Sequence, residues 1–198
     1  MKLILLMLII GFFVGCDVFT TRTPETPDNS SAQYVPPTEP TIVIQNFESS
    51  LRTKNLENYL KCFNSGNSNL QKNYIFYPSQ EANASFPSLF IGWSNEEERR
   101  FFNSLKALLG NESNPALNWV DKKAIIENPD SAVFESNYDL YINFSDNNIP
   151  KQYAGTLRFV MVNDNNGLWT ISRWYDYNLN QTDTILSSFS FLKAKIYN

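Results

Sequence analysis

The strongest hydrophobic pattern runs from Gln152 to Tyr177, where two apolar-rich stretches flank Asp164-Asn165-Asn166-Gly167. That spacing predicts a β-hairpin. A three-residue loop with Gly167 left-handed puts Trp169 and Ile171 on the face of Phe159 and Met161. A two-residue Asn166-Gly167 turn would move them to the face of Val160 and Val162. Both faces are apolar, and the DNNG sequence favours the three-residue form. Trp169, Ile171 and Trp174 are spaced two, then three, so sharing one face requires an irregularity near Ser172 or Arg173. Upstream, Ala132 to Phe144 alternates. Phe134, Ser136, Tyr138, Leu140, Ile142 and Phe144 form the expected core face, and Val133, Glu135, Asn137, Asp139 and Tyr141 the outer one.

Before these strands the period changes. Val43, Phe47 and Leu51 recur every four residues, which predicts a helix over Thr41 to Arg52. Asn55 is placed to cap a second helix with Leu56, Tyr59, Leu60 and Phe63 inward. A short strand is expected at Tyr74 to Tyr77, and mostly loop from Ser79 to Ile91. Ser94 and Glu97 form a capping-box pair ahead of a helix to Leu109, with Phe101, Leu105 and Leu108 as its inner stripe. Glu96, Glu97 and Glu98 then serve the helix dipole rather than catalysis. Ala116 to Glu127 reads as strand, and Phe189 to Tyr197 as a helical turn or two lying against the sheet.

The N-terminus follows different rules. Lys2 precedes an apolar run from Leu3 to Val14, well short of the about 20 residues a membrane span needs. Residues 1–15 therefore read as a secretory signal. Phe13-Val14-Gly15-Cys16 resembles a bacterial lipobox, with Phe13 in place of the usual Leu. The resemblance implies cleavage before Cys16 and lipid attachment there, hence an extracytoplasmic protein of the bacterial cell envelope. It does not choose between inner and outer membrane. Residues 16–40 are rich in Pro, Thr, Ser and acidic side chains and predict a flexible tether, spanning on the order of 25–30 Å. Residues 41–198 make a single domain.

Composition removes several chemistries. The 198 residues contain no histidine, so His-based triads, the usual zinc sites and the commonest neutral-pH base are excluded. A net charge of −4 without a basic stripe argues against nucleic acid. Cys16 and Cys62 sit in unlike settings, so a disulfide is not expected, and Cys62 reads as a small core residue. No metal ligand cluster and no cofactor motif is present in the sequence; DNNG lacks the acidic ligands of a calcium loop.

Helices followed by long antiparallel strands give an α+β order. With Gly167, Trp169, Ile171, Trp174 and Asp176 behind the helix pair Ile42 to Phe63, the chain resembles the nuclear transport factor 2-like superfamily, which includes ketosteroid isomerase and the SnoaL-like cyclases. The resemblance implies N-terminal helices packed on a curved antiparallel sheet, a cone-shaped, cystatin-like architecture. It also implies that Tyr138, Phe159, Met161, Trp169, Ile171 and Trp174 line the cone. Acid/base groups in such enzymes project into the cone. Asp139, Asp176, Glu135, Tyr138 and Tyr141 are the candidates here, but Asp139 and Glu135 fall on the outer face and Asp176 at a strand end, where a capping or turn role is commoner. No catalytic set is expected to transfer. Three roles fit: a membrane-tethered module binding a small apolar ligand or a protein, a SnoaL-like enzyme for a hydrophobic substrate, or a subunit that homodimerises through its outer sheet face. An open cone favours the first two; a cone plugged by Phe and Trp removes the enzyme and the small-ligand version.

Overall fold

A computed structural model describes residues 34–66, 73–110, 113–122, 125–164, 166–179 and 187–197. The expected signal at 1–15, Cys16 and the tether up to residue 33 lie outside them.

Two helices open the domain. Helix α1, Pro40–Arg52, starts on a proline whose missing N–H costs nothing there, and buries Val43, Ile44, Phe47 and Leu51. Helix α2, Leu56–Lys61, is capped by the Asn55 side chain, which accepts from the Asn58 N–H at 3.0 Å. The packed chain begins earlier than Thr41. The Asn46 side chain holds the Val35 backbone through both its N–H (3.2 Å) and its carbonyl (2.7 Å), and the Trp169 N–H donates to the Pro37 carbonyl at 2.8 Å. Residues from Tyr34 onward are thus fastened to the domain although their composition reads as linker.

After α2 the chain runs alongside the last long strand in the same direction, exchanging backbone hydrogen bonds at Cys62, Asn64 and Ile171. Strand β1, Ile75–Tyr77, continues that course, so one edge of the sheet is parallel and the sheet is mixed rather than wholly antiparallel. The segment expected to be loop contains helix α3, Gln80–Ser85, capped by Ser79. Helix α4, Asn95–Leu108, carries the predicted capping box between Ser94 and Glu97. Its buried stripe is Glu98, Phe101, Phe102 and Leu105, while Leu108 is exposed. Strands β2, Ala116–Lys122, and β3, Ile126–Glu127, both pair with β4, Ser131–Tyr141. β4 pairs without interruption with β5, Gln152–Asn163, which pairs with β6, Trp169–Asn178. The order is β1-β6-β5-β4-β2. A final helix, α5, spans Phe189–Tyr197.

The hairpin takes the three-residue loop. The Gly167 N–H donates to the Asp164 carbonyl at 3.0 Å, Gly167 has φ +77°, and the Asp164 carboxylate accepts from the Asn166 and Leu168 N–H groups at 2.8 Å. Met161 then faces Ile171, Val160 faces Arg173, and Ser172 is the extra residue of a bulge. That one residue restores Trp169, Ile171 and Trp174 to the face of Phe159 and Met161. The Ser172 hydroxyl donates to the Val160 carbonyl at 3.0 Å.

Candidate functional site

The concave side of the sheet is where this architecture could hold a ligand, and it is occupied by the chain itself. Tyr138, Phe159, Met161, Trp169, Ile171 and Trp174 all lie there, none more than 4% exposed. Trp174 meets Phe47, Phe76, Phe159 and Phe189 edge to face, at centroid distances of 5.0–5.4 Å. Helices α1 and α2 pack over one part of that face, and α5 over another, where Phe189 meets Tyr138 and Trp174.

Two buried polar groups fasten α5 in place. Glu98, on the apolar stripe of α4, is wholly buried. Its carboxylate accepts from the Tyr59 hydroxyl at 2.8 Å, the Tyr74 hydroxyl at 2.6 Å and the Trp93 indole N–H at 2.9 Å, and it pairs with the buried ammonium of Lys193 on α5. Four rings surround that ammonium: Phe76 at 4.0 Å, Trp174 at 4.1 Å, Trp93 at 5.1 Å and Phe101 at 5.3 Å. Ring faces supply negative potential to a desolvated cation. Burial nevertheless pushes the lysine down to about 8, against the pull of Glu98. Burial and the neighbouring carboxylate push the Tyr59 and Tyr74 phenols well above 10.

Asp176 forms the second fastening. Its carboxylate accepts from the Ser190 N–H at 2.8 Å, the Ser190 hydroxyl at 2.5 Å and the Tyr138 hydroxyl at 2.8 Å. The Tyr138 oxygen in turn accepts from the Phe189 N–H at 2.7 Å. Asp176 and Tyr138 therefore satisfy the first N–H groups of α5, at the end where the helix dipole favours negative charge. Burial raises the Asp176 carboxyl, opposed by these hydrogen bonds. Asp176 lies within β6, paired with Leu157, and its carboxylate caps α5.

Chemically the arrangement is closed. A general acid or base must reach within about 3 Å of a substrate atom. Glu98, Lys193, Tyr138 and Asp176 are each at most 1% exposed, and their hydrogen bonds go to other groups of the protein. Perturbed ionisation also arises in structural ion-pair networks, and this is one. Asp139 and Glu135 lie on the outer face, where Gln152 donates to Asp139 at 3.2 Å and Arg158 pairs with Glu135 at 2.9 Å. Cys62 is buried, and burial raises its thiol far above the range of a nucleophile. Among the described residues no group of His, Cys, Asp or Glu could hold a metal ion.

The sequence reading missed Glu98 and Lys193. A signal existed: Glu98, Phe101, Phe102 and Leu105 follow the i, i+3, i+4, i+7 spacing of one buried face. The acidic run hid it, because a carboxylate in a first helical turn already has a sufficient reason to be there.

No protein-family model matches the sequence, and a comparison with curated proteins finds no match. Solved structures do resemble it. A nuclear transport factor 2-like superfamily protein from Salmonella enterica serovar Typhimurium aligns with a TM-score of 0.53 at 15% identity, over 73% of this chain and 91% of that one. A conserved protein from Planctomyces limnophilus aligns with a TM-score of 0.53 at 9% identity, over 69% of this chain and 91% of that one. At such identities the likeness concerns fold and carries no activity with it. Helices seated in a curved mixed sheet, in this order and topology, give the chain the nuclear transport factor 2-like α+β fold.

Proposed function

We propose that this protein is a lipid-anchored, extracytoplasmic binding or accessory module that acts through its outer surface, not through catalysis inside the cone. The observation that carries the reading is α5: its Lys193 and Phe189 occupy the space a substrate would need, held by Glu98, Asp176 and Tyr138. An enzyme of SnoaL-like type would need that volume open and an acid or base free within it. The outer sheet face gives little support to a hydrophobic dimer interface. Its central rows are polar pairs, Glu135 with Arg158 and Thr156 with Asn137, beside the stacked Tyr77 and Tyr175. The lipobox-like Phe13 to Cys16 supports attachment to a membrane, where multiple acyl chains give stable anchorage.

The anchoring is tested by metabolic labelling of the full-length chain with a radioactive fatty acid in a bacterial host. The wild type is expected to label and to fractionate with membranes, and Cys16→Ser to do neither. Label retained by Cys16→Ser, or absent from the wild type, overturns the proposal.

A further inference from the structure

A cleft lies beside α5, on the side facing away from the Glu98 pair, at the Tyr153 end of the β5 face that carries Phe159. We propose that it binds a small amphipathic carboxylate, with the acid group at Lys195 and Tyr153 and an apolar body against Phe86, Phe191 and Pro150. Its volume is about 570 Å³, within the range of small-molecule sites. Phe86 and Phe191 meet edge to face at 6.4 Å and form an apolar wall, with Pro150 from the β4–β5 connection as another part of the lining.

Its polar side is one-sided in charge. Lys195 is the charged residue of the lining, and no Asp or Glu is among the residues that form it. The lysine is exposed and has no carboxylate partner among the described residues. Its neighbour on the same helix, Lys193, is fully committed to Glu98, so α5 sends one ammonium inward and leaves the other for the cleft. Tyr153 is 1% exposed, and its hydroxyl has no hydrogen-bond partner among the described residues. A buried phenol without a partner forfeits a hydrogen bond it could make in water, and such a group calls for an explanation. A ligand oxygen accepting from it would remove the deficit. Asn148 adds an amide at the rim. One cation, an unspent phenol and an apolar wall describe an acid with a short hydrophobic tail, not a cation and not a neutral hydrocarbon.

The probe is 4-phenylbutyrate, in equilibrium dialysis against the full-length chain in detergent, with empty micelles as blank. Saturable binding with Kd on the order of 0.1–1 mM is expected for about a dozen heavy atoms. Lys195→Gln should weaken it roughly tenfold, and Tyr153→Phe roughly three- to tenfold. 4-Phenylbutanol and 4-phenylbutylammonium should bind at least about tenfold more weakly than the acid. Neither variant threatens the fold: Lys195 is exposed, and Tyr153→Phe deletes a hydroxyl without a partner among the described residues, so an unchanged Tm accompanies the loss of binding. Absence of saturable binding overturns the proposal, as does equal binding of the ammonium analogue or unchanged affinity in both variants. The cleft does not depend on Cys16, so Cys16→Ser should bind the probe as the wild type does, and the two proposals fail separately.

Discussion

Lys193→Met tests how α5 is held in the cone. The substitution keeps an unbranched side chain of similar length and removes the ammonium. Glu98 then stays buried with Tyr59, Tyr74 and Trp93 donating to it but with no opposing charge. Breaking a buried pair from one side costs about 3–5 kcal/mol, a large share of the roughly 5–15 kcal/mol that stabilises a typical domain. Glu98→Gln should cost less, about 3 kcal/mol at the lower end of that range. Lys193 would keep an amide oxygen and the faces of Phe76 and Trp174 at 4.0 and 4.1 Å. The double variant Glu98→Gln/Lys193→Met leaves no uncompensated charge, so it should be more stable than the sum of the single losses by about 2–3 kcal/mol. Glu98→Leu/Lys193→Met should not recover, because it orphans two phenols and an indole, each at about 1–3 kcal/mol. Equilibrium urea unfolding of the full chain carrying Cys16→Ser, followed by tryptophan fluorescence, measures all five proteins. Additivity of the single variants within about 0.5 kcal/mol would refute the coupling. So would a loss below about 1 kcal/mol for Lys193→Met, which would mean that the ammonium reaches water.

Further outcomes follow from the same geometry. Lys193 sheds its proton near pH 8 when folded and near 10.5 when unfolded, so over that window the unfolded state binds more protons and this group's contribution to stability rises with pH. The wild type should therefore gain on Lys193→Met between pH 7.5 and 9.5, by no more than about 1 kcal/mol per unit; an unchanged or shrinking gap in denaturation midpoints contradicts the burial argument. The raised Tyr59 and Tyr74 reverse the trend only above pH 10, where the unfolded phenols ionise first. Gly155→Ala places a Cβ at 2.6 Å from both the Tyr138 hydroxyl and the Tyr177 carbonyl. A loss of about 1–3 kcal/mol, or roughly 2–12 °C in Tm, is expected; a neutral effect would show that Tyr138 can leave Asp176 freely. In the Cys16→Ser chain, Cys62 should react with a disulfide reagent at least about 100-fold more slowly in buffer than in urea, since its thiol is buried and its ionisation suppressed.

Local rules carried the sequence reading a long way. The capping box at Ser94, the Asn55 cap, the β4 alternation and the bulge beside Trp174 each depend on residues within a few positions of one another. Long-range contacts were another matter. Glu98 and Lys193 are separated by 95 positions, and neither residue alone says that the other will meet it. Lys193 sits in FSFLKAKIY, whose apolar residues are spread around the helix and so do not orient it. The parallel edge of β1 depends on the path of the chain after α2, which no periodicity records. The early start of the domain rests on Asn46 bonding the Val35 backbone, a contact written in one polar side chain of α1.

That fastening also gives the molecule a polarity. The chain enters the domain where Pro37 meets Trp169, which pairs with Asn163 at the end of β5; Tyr153 and the cleft lie at the strand's beginning. Ten residues of extended strand separate Asn163 from Tyr153, roughly 33 Å. If the proposed lipid on Cys16 holds the chain, the entry point is the proximal pole and the cleft the distal one. A solute captured there would then be met at the opposite end of β5 from the point where the chain enters the domain.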